Sequence, residues 1–147
     1  MAGQHGPGGL EPDLVASKYF GGILYGAMAR YPGPLSAKGR GNATDAIKRM
    51  ADFALKKGVT LGLEVVNRYE SNQIKTALQA LDMLDRVNAP NVVVHLDTYH
   101  MNIEEADFMQ PVLACGKRLG YVHIGESNRG CLDVARSTSR SFSMGWR

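Results

Sequence analysis

Three side chains able to bind a metal recur at regular intervals within or directly after apolar segments. Glu64 lies in TLGLEVV, Asp97 follows VVVHL, and His123 lies in YVHI. Their spacings of 33 and 26 residues are close to the length of one strand–helix–strand unit, about 30 residues. Two carboxylates and an imidazole suit Mn²⁺, Co²⁺ or Mg²⁺, whereas a structural zinc site usually has thiolate ligands. The pattern therefore predicts a divalent metal site.

Each of the three residues also has a purely structural explanation. An acid at a strand end is often the N-cap of the next helix, and a histidine within a strand is usually a hydrogen-bonded core residue. The regular spacing favours the metal site, because it places all three at equivalent points of successive units. Of the other polar residues, His95 is expected in the core or behind the metal ligands, and three are expected in solvated loops: Arg68, Asn102 and Glu126.

Apolar periodicity predicts the strands and helices that position these residues. Strands are expected at residues 18–24, 60–66, 91–96 and 121–124, and helices at residues 42–57, 72–87 and 110–119. Gly58 and Gly120 suit helix C-caps, and Pro111 suits a first helical turn. The alternating order indicates parallel strands joined by crossover helices.

The pattern leaves two folds open, a doubly wound sheet and a (β/α)₈ barrel. No Gly-x-Gly-x-x-Gly follows a predicted strand, which disfavours the dinucleotide-binding form of the open sheet. In a barrel, the carboxyl ends of the strands face one mouth, where active sites are built. Four strands alone would leave two open edges, and we expect exposed inner-face residues such as Val92 and Val94 to favour aggregation.

Composition divides the chain into three regions. Residues 1–13 are rich in Gly and Pro and are expected to be disordered, residues 14–130 carry the alternating elements, and residues 131–147 are expected to be irregular. The formal charge of the 147-residue chain is +3. Most of it comes from arginines of the last region, so the folded region is nearly neutral, which argues against a nucleic-acid partner.

The sequence also bears on the cellular compartment. No apolar segment is long enough to cross a membrane, and no secretory signal follows Met1. We therefore expect a cytoplasmic protein without a membrane partner, with Cys115 and Cys131 as reduced thiols. Cys115 falls in a predicted helix and is expected to be buried and inert.

Three segments resemble one enzyme family. LEVVNRYE, HLDTYHMNIEE and GYVHIGESNRG are similar to the ketose 3-epimerases (D-tagatose and D-psicose 3-epimerases) of the xylose isomerase-like TIM barrels. The resemblance extends over residues 15–130 and implies a partial barrel with about four consecutive parallel strands. It implies a divalent metal, Mn²⁺ or Co²⁺ with Mg²⁺ as a third candidate, bound by Glu64, Asp97, His123 and a second glutamate.

The resemblance also implies a reaction. A free ketose would be epimerised at C3 through a cis-enediolate, with Glu64 as one of two bases. Three residues would contact the sugar: Glu70, His100 and Arg129. The full-length protein would be a homo-oligomer.

The sequence departs from this family in its extent. The second glutamate would follow His123 by about 30 residues, which is beyond Arg147, and a complete barrel takes about 250 residues. We therefore expect the chain alone to have negligible epimerase activity. We also hypothesise that a frameshift near residue 130 produced the last region.

Three alternatives stay open. Another isomerase on the same scaffold, acting on a different sugar or on hydroxypyruvate, would have a similar metal site. A truncated product would be inactive. An endonuclease-like barrel is a distant alternative, because its several zinc ions need more histidines than the four in this chain.

Overall fold

The computed structural model describes residues 17–129, which form four strands and four α-helices. The strands are β1 (Tyr19–Gly22), β2 (Thr60–Glu64), β3 (Val92–Asp97) and β4 (Leu119–His123). The helices are α1 (Ala37–Leu55), α2 (Ala77–Val87), α3 (Thr98–Glu104) and α4 (Met109–Cys115), and a 3₁₀ turn, Gly116–Arg118, precedes β4. The regions assigned above to residues 1–13 and 131–147 lie outside the described residues, so those assignments stay predictions.

All four strands are parallel and lie in the order β1-β2-β3-β4. A doubly wound sheet reverses its strand order at a switch point, and residues 17–129 contain no such reversal. The order is that of successive units in a barrel, so the predicted partial TIM barrel is confirmed. Glu64 pairs with His95, and Asp97 pairs with His123, which brings the carboxyl ends of three strands to one level.

Both long helices begin at residues other than those predicted. Helix α1 begins at Ala37 rather than residue 42, because Ser36 Oγ accepts the backbone N–H of Gly39 and caps the helix. Helix α2 begins at Ala77 rather than residue 72. The carbonyl of Ile74 accepts the backbone N–H of Val66 instead of a helical N–H, so the helix starts only after this contact.

The region between β3 and β4 differs most from expectation. Helix α3, which was not predicted, follows β3 directly, and α4 ends at Cys115. Gly116 ends α4 with a left-handed φ of 50°, whereas Gly120, the predicted cap, lies within β4. Gly58, with a φ of 67°, does adopt the left-handed conformation expected after α1.

The two faces of the sheet have different roles. Val92, Val94 and Leu96 are buried in one core with apolar residues of α1 and α2, so the expectation that Val92 and Val94 are exposed is wrong. Tyr19 crosses the other face so closely that a Cβ at Gly62 would overlap its hydroxyl. That inner face carries a cluster of rings: Tyr19, His95, Tyr121 and His123.

Candidate metal and substrate site

A cavity of about 520 Å³ opens where β2, β3 and β4 end. Active sites of TIM barrels are built at this end of the strands. The cavity is lined by all six residues singled out from the sequence: Glu64, Glu70, Asp97, His100, His123 and Arg129. The structure therefore brings these six side chains to a single concave surface.

Asp97 combines the structural role and the candidate functional role considered for it. Its Oδ1 accepts the backbone N–H of Tyr99 at 2.8 Å and so caps helix α3. Its Oδ2 lies 3.9 Å from Nε2 of His100 and 3.8 Å from Nδ1 of His123. One oxygen thus fixes the side chain, and the other faces the cavity.

Potential metal ligands form two overlapping groups. Ligand atoms of Glu64, Asp97 and His100 lie within 4.8 Å of one another, and so do those of Glu64, His95 and His123. Glu64 belongs to both groups, so the predicted ligands Glu64, Asp97 and His123 share the cavity but divide between two positions. His100, predicted to contact substrate, also lies within reach of a metal.

The electrostatics at Glu64 suit a bound cation. Burial raises the pKa of its carboxyl above the ordinary value, and the negative charge of Asp97 raises it further. His123 and Arg129 oppose this shift. A divalent cation held between the two carboxylates would reduce both the desolvation cost and the repulsion. The carboxylate and imidazole donors present therefore fit Mn²⁺ or Co²⁺ chemically.

The orientation of His100 is fixed by Asn67. The backbone N–H of Asn67 donates to Nδ1 at 3.1 Å, and its side-chain amide nitrogen lies 2.8 Å from the same atom. Because Nδ1 accepts, the neutral ring carries its proton on Nε2, which lies 3.9 Å from Oε2 of Glu70. Burial lowers the pKa of His100, so the neutral ring can donate Nε2–H towards the cavity.

Arg129 and Glu70 lie next to each other in the lining of the same cavity. The guanidinium lies 3.3 Å from Oε1 of Glu70 and 4.1 Å from the ring centre of Tyr99. Stacking on an aromatic face and pairing with a carboxylate both hold a guanidinium in place. This pair places a cation and an anion side by side, which suits the recognition of hydroxyl groups.

Several residues of the site differ from the expectations. Asn67 and Tyr99 orient predicted site residues, and spacing alone did not reveal this. Glu126 was expected in a solvated loop but is only 1% exposed. The hydroxyl of Thr98 donates to the carbonyl of Gly125 at 2.7 Å and accepts its N–H at 2.8 Å, which ties this loop to α3. Cys115 is buried, as expected.

The comparison with protein families agrees with this geometry. The sequence profile of the xylose isomerase-like TIM barrel family matches residues 13–146. The chain belongs to this family. Within residues 17–129, no helix is both long enough and apolar enough to cross a bilayer.

Two proteins of similar sequence are 3-epimerases. An L-ribulose 3-epimerase of Methylomonas sp. (strain DH-1) is 54% identical over 121 residues, which make up 82% of this chain and 42% of that enzyme. A ketose 3-epimerase of Arthrobacter globiformis is 51% identical over 113 residues, 77% of this chain and 39% of that enzyme. The chain spans less than half the length of these relatives.

The structural comparison gives the same result. The crystal structure of a D-allulose 3-epimerase from Methylomonas sp. in complex with D-allulose matches this chain with a TM-score of 0.85 and 51% identity. The match covers 87% of this chain and 44% of that chain. This chain therefore shares the backbone fold of part of that barrel.

Proposed function

We propose that this chain provides one side of the active site of a metal-dependent ketose 3-epimerase. The cavity at the ends of β2, β3 and β4, lined by acids, imidazoles and an arginine, is the observation that carries the proposal. The names of the relatives, L-ribulose, ketose and D-allulose 3-epimerases, support C3 of a ketose as the reacting centre.

Glu64 is the residue we assign to proton transfer. Its carboxyl lies in the lining of the cavity at the end of β2, where a carboxylate can take a proton from a bound substrate. Epimerisation at C3 removes the hydrogen next to the ketose carbonyl, so that a cis-enediolate of the sugar forms. A second carboxyl group, protonated and on the opposite face of the sugar, would then give its proton to C3, while Glu64 keeps the proton that it removed.

We assign the metal to Glu64, Asp97 and His123, with Mn²⁺ or Co²⁺ as the preferred ions. When bound, the cation polarises the sugar oxygens and lowers the barrier to proton removal. Asp97 supports this assignment, because its cavity-facing Oδ2 is oriented by the cap that Oδ1 forms.

We assign substrate binding to three further residues. The Nε2–H of His100 is fixed by Asn67, and it can donate to a sugar oxygen. Glu70 and Arg129, paired at 3.3 Å, offer an acceptor and donors to adjacent hydroxyl groups. Such preorganised contacts hold the sugar in a reactive orientation.

A chimera tests the proposal. Residues 17–129 would replace the matching region of the Methylomonas enzyme, and Mn²⁺-dependent turnover would be measured on a panel of ketoses, aldoses and hydroxypyruvate. We expect epimerisation of a ketose at C3, its loss in Glu64→Gln, and its retention in the surface control Lys48→Gln. A folded chimera that turns over only an aldose or hydroxypyruvate would identify another isomerase, and the proposal would be wrong.

A further inference from the structure

His95 is a buried histidine whose ring has no polar partner among the described residues. Its side chain arises from β3, and the residue is only 6% exposed. Neither Nδ1 nor Nε2 has a hydrogen-bond partner within residues 17–129. Buried polar atoms are nearly always hydrogen-bonded, and each exception needs an explanation. A bound ligand is one such explanation.

The ring of His95 is held in place by packing. It lies edge-on to Tyr121, with ring centres 4.8 Å apart, and to Tyr19 at 6.2 Å. The absence of a side chain at Gly21 makes room for it, because a Cβ there would lie 2.9 Å from Nδ1. Its orientation on the inner face is therefore set without a hydrogen bond.

The same ring lies beside two potential metal ligands. His95 is the register partner of Glu64 on β2, and its ring centre is 5.6 Å from that of His123 on β4. One ligand atom from each of Glu64, His95 and His123 lies within 4.8 Å of the others. Zinc–nitrogen bonds are about 2.0–2.1 Å long, so small side-chain movements would bring all three onto one ion.

We propose that His95 is a metal ligand, and that Glu64, His95 and His123 form a nitrogen-rich cation site on the inner face of the sheet. This rests on the proposed function, because Glu64 and His123 are also ligands of the metal assigned there, and it adds His95 to the residues that bind that ion. Two imidazoles and one carboxylate favour Co²⁺, Ni²⁺, Cu²⁺ or Zn²⁺ over Mg²⁺. The site lies next to the group formed by Glu64, Asp97 and His100 and shares Glu64 with it.

Pulsed EPR of bound Cu²⁺ tests this proposal, because it counts the imidazoles coordinated to the ion. The 147-residue chain would carry His5→Gln, which removes the one histidine outside the described residues, and would be loaded with one equivalent of Cu²⁺. We expect two coordinated imidazoles, one after His95→Gln and one after His123→Gln. The matched control His100→Gln, which alters the neighbouring group, should retain both.

A second measurement keeps the test valid if His95→Gln does not fold. In the chain with its histidines ¹⁵N-labelled, NMR during a Zn²⁺ titration should show ring nitrogens of His95 and His123 shifting together, complete at one equivalent. A single coordinated imidazole, or a His95 ring that does not respond to Zn²⁺, would overturn this proposal and leave the proposed function intact. A folded chain that binds neither these ions nor Mn²⁺ would contradict both.

Discussion

The phenol of Tyr25 donates a hydrogen bond of 2.6 Å to the backbone carbonyl of Glu64. Tyr25 belongs to the segment that follows β1, and Glu64 is the last residue of β2. Burial raises the pKa of Tyr25 far above its ordinary value, and the charge of Glu64 adds to this, so the phenol stays protonated and remains a donor. The contact therefore holds the backbone of Glu64, the proposed base, in place from the segment that follows the neighbouring strand β1.

Replacing Tyr25 with Phe should destabilise the chain. The variant removes the phenol O–H, so the Glu64 carbonyl loses this hydrogen bond. The loss should lower the free energy of unfolding by about 1–3 kcal/mol. Urea denaturation followed by circular dichroism would measure the change. Tyr31→Phe is the matched control, because the Tyr31 phenol donates to Ala27 in an exposed position and its loss should change the free energy of unfolding by less. Equal effects of the two variants would contradict the assigned importance of Tyr25.

Asp97→Asn should separate the two roles of Asp97. Asparagine retains a side-chain oxygen that can cap α3, and Asn is as good an N-cap as Asp, so the stability without metal should change little. The negative charge that faces the cavity is lost. Because changes that only support a ligand already weaken metal binding by about 10–100-fold, the Mn²⁺ affinity should fall at least that far.

Calorimetric titration with Mn²⁺, together with thermal denaturation without metal, would check this prediction. Asp97→Ala should lose both the Mn²⁺ affinity and the N-cap of α3. Asp85→Asn, a change at an exposed position on α2, should leave both unchanged. Unchanged Mn²⁺ affinity in Asp97→Asn would remove Asp97 from the proposed ligands.

Two salt bridges of this chain should differ in their contribution to stability. Arg68 pairs with Glu104 through two short contacts, and the Glu104 side chain is 5% exposed, whereas Arg86 and Asp82 pair on an exposed face of α2. Arg68→Ala leaves the largely buried carboxylate of Glu104 without its guanidinium partner, and should lower the free energy of unfolding by more than Arg86→Ala does. Arg86→Ala removes a pair between two exposed side chains and should change the free energy of unfolding only slightly.

Measuring both variants in low and in high salt would test this contrast. Screening acts mainly on exposed pairs, so the small effect of Arg86→Ala should shrink in high salt while that of Arg68→Ala largely persists. If Arg86→Ala destabilised the chain more than Arg68→Ala did, the burial of Glu104 would not be what makes its salt bridge the stronger of the two.

The sequence predicted what depends on regular spacing and missed what depends on single contacts. The interval between Glu64 and Asp97 follows from the length of one unit, so the fold class and the shared end of the strands could be inferred. The start of α2 depends on Ile74 receiving a hydrogen bond from Val66, which no periodicity encodes. The burial of Glu126 likewise depends on how a loop packs against α3.

The position of His95 relative to the potential metal ligands is a second feature that the sequence alone could not predict. Period-two alternation along β3 predicts that His95 lies on the same face as Asp97, in the core or behind the metal ligands. Its distance to Glu64 and His123 depends on the register between three strands. That register becomes known only when the strands are paired.

Cys115 gives a prediction about pH. Burial raises the pKa of its thiol from the ordinary value of 9.0 to about 11, with Glu105 adding to the shift and Arg118 opposing it. Between these two values the folded chain keeps a proton that the unfolded chain has lost. Stability must then fall as pH rises through this window, by at most about 1.4 kcal/mol per pH unit from this group.

The measurement compares two variants, because lysines and tyrosines also titrate above pH 9. Cys131 lies outside the described residues and is replaced by Ser in both variants, and one of them also carries Cys115→Ala. The free energy of unfolding should fall more steeply between about pH 9 and pH 11 in the variant that retains Cys115. Since the common titrations cancel in the difference, parallel curves would mean that the Cys115 thiol ionises equally in the folded and the unfolded chain. The expected divergence would instead confirm that burial in the core holds the thiol in its neutral, unreactive form.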